Sequence, residues 1–195
     1  MIRDARFVTS LDGLRDFPGR GAPEIAIAGR SNVGKSSLIN KVCNKKGMAR
    51  SGATPGVTRL VNVYGIGVPG EERLFLMDLP GYGFAKAAKS EQQLWSERIG
   101  GYLENSENLA GIIHVVDIRH EPTAQDAQMA AWIRSRGLPF RVVATKSDKI
   151  SGAKRQPSLF AIGRVLTVQP WEIIAFSSED GRGAEEVEKW IFAPT

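Results

Sequence analysis

The stretch that most limits what this chain can fold into is "GRSNVGKS", Gly29–Ser36. It matches the P-loop pattern of Gly, four residues, then Gly-Lys-Ser. It stands between a short β-rich run, "EIAIA" (Glu24–Ala28), and "KSSLINKVCN", whose apolar residues recur at helical spacing. A strand, a glycine-containing turn and a helix in that order form a phosphate cradle. Gly29 and Gly34 allow the backbone to curl, so that successive N–H groups along Arg30, Ser31, Asn32 and Val33 turn inward toward phosphate oxygens. The helix that opens at Lys35, Ser36 and Ser37 adds its dipole. Lys35 should reach the outer phosphates, and the Ser36 hydroxyl should bind Mg²⁺.

The remaining pattern sets the architecture. "LVNVYGIGV" and "RLFLMD" read as a hairpin around "PGEE". "SEQQLWSERIGGYLENS" is an amphipathic helix. Then strands and helices alternate: "GIIHVVD", "TAQDAQMAAWIRSRG", "FRVVATK", a helix in "AKRQPSLFAIGRVL" starting late because of Pro157, "WEIIAFSS" and "GAEEVEKWIF". Alternation of this kind gives an α/β fold: a mostly parallel sheet with one antiparallel strand, helices on both faces, three layers in all. Ligands then belong at the carboxyl ends of the strands. Residues 1–23 read as a polar arm, and 24–195 as one nucleotide-binding domain.

Three of those strand ends carry further motifs. "DLPG" (Asp78–Gly81) follows "RLFLM": Asp78 would hold Mg²⁺ through a water, Leu79 and Pro80 shape the turn, and the Gly81 N–H would meet a γ-phosphate. "TKSD" comprises Thr145, Lys146, Ser147 and Asp148. An Asp there accepts both the ring N–H and the exocyclic amine of guanine, a pair adenine lacks, so the motif argues for GTP and against an ATP-using enzyme. The Lys146 stem can lie along the base. At "FSS" (Phe176, Ser177, Ser178), backbone N–H groups could meet the guanine carbonyl. The Ser/Thr-rich loop "SGATPGVTR" offers Thr54 and Thr58 as a hydroxyl that closes over Mg²⁺ and γ-phosphate. Singly, each of the later motifs is an ordinary turn, cap or loop; their order carries the argument.

The chain of 195 residues is long enough for one well-filled core, and its net charge of +5 suits contact with a polyanion as well as it suits a solvated basic surface. The single cysteine, Cys43, fits a reducing cytoplasm, and no apolar run is long enough to span a membrane.

Beyond nucleotide binding, "PEIAIAGRSNVGKSSLIN", "TPGVTR", "DLPGYGFAK" and "DIRHEPTAQDAQMAAWI" resemble the EngB family of ribosome-biogenesis GTP-binding proteins, in the Era-like branch of P-loop GTPases. The likeness covers residues 7–192. It implies a Mg²⁺-dependent single G domain that hydrolyses GTP slowly, with Lys35, Thr58 and Gly81 at the reacting phosphate and Ser36, Thr58 and Asp78 around the metal. Aligned with that branch, "PGVTR" assigns the metal hydroxyl to Thr58, with Gly56, Val57, Arg59 and Leu60 beside the nucleotide. The family's usual "TPGRTQ" differs at Val57 and Arg59. The resemblance further implies work on the large ribosomal subunit or its precursor, contacts with ribosomal RNA and proteins, a monomer, and a role in cell division and septation.

Where many such proteins carry a water-orienting Gln, this chain has Tyr82. Asn32 could help seat a potassium ion that takes over part of that task, or could simply tolerate an unusual backbone angle. Ribosomal RNA or protein could instead order the loops. Lys41, Lys45, Lys46, Arg50, Lys86 and Lys89 crowd the nucleotide face, as an RNA contact or as a solvated surface. A second reading therefore stands beside the GTPase: a GTP-responsive RNA-docking module in which hydrolysis is incidental. His114, Cys43 and the four tryptophans read as packing residues.

Overall fold

The structure, a computed structural model, describes residues 2, 4–11, 21–49, 60–68, 71–82, 99–100, 102–103 and 106–194. Among the described residues seven strands form one sheet: β1 (Asp4–Leu11), β2 (Glu24–Gly29), β3 (Val61–Val68), β4 (Glu71–Asp78), β5 (Leu109–Asp117), β6 (Phe140–Thr145) and β7 (Ile173–Ala175). Their order across the sheet is β1-β3-β4-β2-β5-β6-β7. β3 runs antiparallel to both neighbours, and every other pair is parallel. β3 is thus the one strand that runs against the rest, as the hairpin reading implies.

Alternation along β2 shows why the sheet is covered twice. Ile25 and Ile27 face one side, where they pack with Leu38, Ile39 and Val42 of α1 (Lys35–Val42) and with Val187, Trp190 and Ile191 of the C-terminal helix (Ala184–Phe192). Ala26 and Ala28 face the other, against Ile99, Tyr102 and Leu103, which are helical, and against Met129 and Ile133 of α2 (Ala124–Ser135). A third apolar cluster joins α2 to α3 (Gly152–Leu166) through Ala130, Leu159, Ile162 and Leu166. The C-terminal helix is α4. Each fully buried aliphatic side chain of this kind contributes about 1.5–3 kcal/mol. α2 begins at a reciprocal cap: the Asp126 carboxylate accepts from Thr123 N at 2.8 Å, while Thr123 Oγ1 accepts from Asp126 N at 3.4 Å.

Three readings of the sequence change. The N-terminal arm contains a strand, β1, which pairs with β3 from Asp4–Gly67 to Leu11–Val61, with a shift of register between Phe7 and Thr9. α3 does not start late: it opens at Gly152, and Pro157 lies inside it. The proline withholds the single N–H that would pair with the Ala153 carbonyl, so the helix loses one bond and keeps the rest. "WEIIAFSS" contributes only Ile173–Ala175 as strand, with Pro170–Glu172 in a 3-10 turn before it. Most of the amphipathic helix expected over 90–106 lies outside the described residues.

Candidate functional site

Register brings the motifs to one edge. Ile27 is level with Asp78, Gly29 with Val115, Asp117 with Thr145, and Ala144 with Ala175. Gly29, Asp78, Thr145 and the turn after β7 therefore sit together at the carboxyl ends of the parallel strands.

Gly29–Ser36 runs from the end of β2 into α1, and its two glycines serve for different reasons. Gly34 has φ +106°, a conformation that L side chains rarely adopt, and it serves as the N-cap of α1 without any side-chain cap. The first N–H groups of α1 thus have no capping side chain to satisfy them, the condition for an anion site. Gly29 is required for room rather than for angle: a Cβ there would lie 2.6 Å from Val115 O. Asn32 has φ +64°, so the residue suits its backbone angle whatever else it does. Arg30 and Ser31 are partly exposed, and Val33 is buried. Ser36 and Ser37 lie in the first turn of α1.

Lys35 donates to Gly29 O at 3.3 Å. Burial pushes its ammonium pKa down, with Asp78 pulling the other way. Asp78 is buried at the end of β4. Burial pushes its carboxyl up to about 6, against the opposing effects of Lys35 and a hydrogen bond from Asn62. Its Oδ1 has no hydrogen-bond partner among the described residues. A buried acceptor left without a donor is costly, and a water on a bound metal would supply one. Leu79 and Pro80 are buried, while Gly81 is partly exposed. Leu60 is exposed; Gly56, Val57, Thr58 and Arg59 lie outside the described residues, as does Thr54.

At the base end, two side chains of "TKSD" also hold the cradle. The single Thr145 hydroxyl proton is shared between two carbonyls, Val33 O and, at 3.0 Å, Val116 O. Lys146 donates to Asn32 O at 2.8 Å and pairs with Asp117 at 2.8 Å. Thr145 therefore bridges β6 to the phosphate loop. Asp117 is further held by Arg119, at 2.9 and 2.7 Å; burial works against its ionisation, but the bonds from Arg119 and Lys146 outweigh it and keep the carboxyl well below its usual range. Asp117 and Arg119 carry no site role in the sequence reading, where "DIRH" serves only the family resemblance. For Asp148, burial again opposes ionisation, and the Ser177 hydroxyl and Lys149 outweigh it. Ser147 N donates to Phe176 O at 3.0 Å, joining "TKSD" to "FSS". In "FSS" the N–H of Phe176 goes to Ala144 O and that of Ser177 to Arg182 O, so those two are committed inside the protein, which is a correction to the expected contact with the base.

Other single residues agree with expectation in part. His114 is fully buried in mid-sheet, but hydrogen-bonded: its Nε2 is 2.5 Å from the Tyr82 hydroxyl. Trp171 is not core, being 78% exposed; Trp132 is half-buried with Arg136 over its ring, Trp190 is buried, and Trp95 lies outside the described residues. Cys43 is buried, and burial pushes its thiol up to about 12, as suits a packing residue. Of the basic group, Lys41, Lys45 and Lys46 are exposed, yet Lys45 is engaged with Ala5 O and Asp4 of β1. Arg50, Lys86 and Lys89 lie outside the described residues. No described helix is long and apolar enough to cross a membrane.

Known proteins resemble this chain in sequence and fold. The family described as 50S ribosome-binding GTPase matches residues 24–146. A protein of Pelotomaculum thermopropionicum called probable GTP-binding protein EngB is 45% identical over 97% of this chain and 96% of its own length. Among solved structures, a probable GTP-binding protein EngB superposes with a TM-score of 0.68 at 28% identity, covering 87% of this chain and 96% of the other. Era in complex with MgGDPNP and a segment of 16S ribosomal RNA superposes with a TM-score of 0.65 at 27% identity, over 89% of this chain and 56% of Era.

Proposed function

The chain belongs to the EngB family of P-loop GTP-binding proteins, and from that premise we propose that it is a slow, Mg²⁺-dependent GTPase switch that acts in the cytoplasm, as a monomer, on the large ribosomal subunit or its precursor. The observation that carries the metal-dependent switch is the buried, unpartnered Asp78 Oδ1 beside Lys35, next to an uncapped helix N-terminus. Ser36, Thr58 and, through a water, Asp78 would hold Mg²⁺, which neutralises charge between the β- and γ-phosphates. The N–H groups along Gly29–Ser37 wrap the phosphates and Lys35 faces the outer ones. Gly81 offers its N–H to the γ-phosphate. Asp148, with Ser178 behind it, reads guanine. Asn32 would help seat a potassium ion at the developing charge. The ribosomal role is supported by the family's description and by the basic residues near the nucleotide face. A role in cell division and septation is proposed on the family resemblance alone.

A second reading has one observation in its favour. The Tyr82 hydroxyl is engaged by Asp126 and His114, so the residue at the water-orienting position has its polar end directed elsewhere. In that case the protein is a GTP-responsive docking module. Two measurements separate the readings: co-sedimentation with large subunits in a GTP-analogue and in a GDP form, and GTP turnover with and without subunits. State-dependent binding with accelerated turnover supports the switch. State-dependent binding with unchanged turnover supports the docking module, and no binding in either form refutes both ribosomal readings.

A further inference from the structure

Tyr82 follows the Asp78–Gly81 turn, and its hydroxyl is 2.9 Å from Asp126 Oδ1 and 2.5 Å from His114 Nε2. A phenol has one proton to give. Asp126 is held ionised: burial opposes this, but bonds from His114, Thr123 and Tyr82 outweigh it and lower the carboxyl to about 2. A carboxylate only accepts, so the phenolic proton goes to Asp126 and the shorter contact is an Nε2–H of His114 donated to the Tyr82 oxygen. The network thereby places a proton on His114 Nε2.

The three residues come from three elements: the end of the turn, the middle of β5 and the first turn of α2. Asp126 Oδ2 is already fixed by Thr123 N at 2.8 Å and Oγ1 at 2.7 Å, which leaves Oδ1 for Tyr82. Both partners lie in the core, His114 at 0% exposure and Asp126 at 3%. Buried polar groups cost stability unless bonded, and an apolar side chain would fill mid-strand space more simply. On the main-chain side, Ser31 N donates to Tyr82 O at 3.1 Å. Gly81 is so close to the cradle that a Cβ would lie 2.7 Å from Ser31 Oγ and 2.9 Å from Ser31 N. The end of the turn is therefore pinned twice, by backbone to the phosphate loop and by the phenol to β5 and α2.

We propose that Tyr82 is a positioning residue: its hydroxyl, held by Asp126 and His114, fixes the backbone of Gly81 against the phosphate loop, and so favours the nucleoside triphosphate over the diphosphate. The inference rests on the GTP-binding reading of the same site. A diphosphate does not reach Gly81, so releasing the tether taxes only the ligand that carries a terminal phosphate. Ordering one residue's backbone on binding costs about tenfold in an equilibrium constant.

The test is equilibrium binding of a non-hydrolysable GTP analogue and of GDP, in Mg²⁺, to the full-length parent and to Tyr82→Phe, which keeps the ring. The expected result is analogue affinity lower by about tenfold with GDP affinity within about twofold. Equal loss for both ligands would mean a general effect on the fold, and no loss for either would mean that the hydroxyl positions nothing; each overturns the proposal. Asp126→Asn added to Tyr82→Phe should leave the analogue-to-GDP ratio where Tyr82→Phe put it. A second fall of similar size would overturn the tether, because the carboxylate would then act without the hydroxyl. A parent that binds neither nucleotide would refute the GTP-binding reading itself, an outcome distinct from a parent that binds both and a variant that does not discriminate.

Discussion

Replacing Asp148 by Asn tests guanine recognition with little disturbance to the fold. The residue lies on the 3-10 turn Ser147–Lys149, with its side chain 16% exposed and Lys149 at 3.1 Å. Asn keeps the size and an oxygen for the Ser177 hydroxyl. The lost attraction to Lys149, itself 58% exposed, is worth under about 1 kcal/mol. Thermal unfolding should therefore stay within a few degrees of the parent. The cost to GTP is larger. Two charge-assisted hydrogen bonds from guanine, at about 1.5–3 kcal/mol each, would be lost, which is about 3–6 kcal/mol or roughly a hundredfold to ten-thousandfold in Kd. Xanthine carries a carbonyl where guanine carries its amine, and the Asn amide can donate to it. Fluorescence titration with GTP and XTP, beside a melting curve for each protein, measures all three quantities. If Asp148→Asn binds GTP as tightly as the parent, or fails to gain XTP, the base does not sit against Asp148.

Other substitutions probe the remaining parts. Lys35→Ala should lose most nucleotide affinity in any buffer, whereas Ser36→Ala should lose it chiefly by losing the benefit of Mg²⁺; GTP titrations with and without Mg²⁺ check both, and an unchanged metal dependence in Ser36→Ala removes that hydroxyl from the metal site. GTP turnover should be faster in potassium than in sodium, and Asn32→Ala should abolish the difference; equal parent rates in the two salts would dismiss the potassium role. The Asp126 carboxyl, lowered to about 2 from an ordinary 3.8, stabilises the fold above the unfolded value and loses that contribution as pH falls toward 2. Asp126→Asn should accordingly flatten the fall in stability between about pH 4 and 2, read by urea unfolding at each pH.

What could be read from the sequence followed from local pattern. The cradle, the hairpin and the strand-helix alternation each occupy a few adjacent residues, and the carboxyl-end rule then placed Asp78, Thr145 and Asp148 together. β1 escaped because its alternation buries almost nothing: along "DARFVTSL" Ala5 alone is fully buried, so the strand is defined by pairing to β3 rather than by a hydrophobic face. α3 starts earlier than its proline suggests because Pro157 costs one hydrogen bond, which the good helix formers Ala153, Lys154, Arg155 and Gln156 before it outweigh. The tether of Tyr82 joins residues 32 and 44 positions apart, each an isolated polar residue in its own segment. Nothing local distinguishes a buried His that bonds from one that packs. The double use of Thr145 and Lys146 was hidden for the same reason, since their partners are Val33 and Asn32.

Those last two contacts span 112 and 114 residues of chain. On a ribosome making this protein, the phosphate loop leaves the exit tunnel long before Thr145 and Lys146, and longer still before Phe176, whose carbonyl receives the Ser147 N–H. The two braces on the phosphate loop are thus made only near the end of translation. A truncated chain ending before residue 145 should carry the phosphate loop without them and bind guanine nucleotide more weakly than the finished protein.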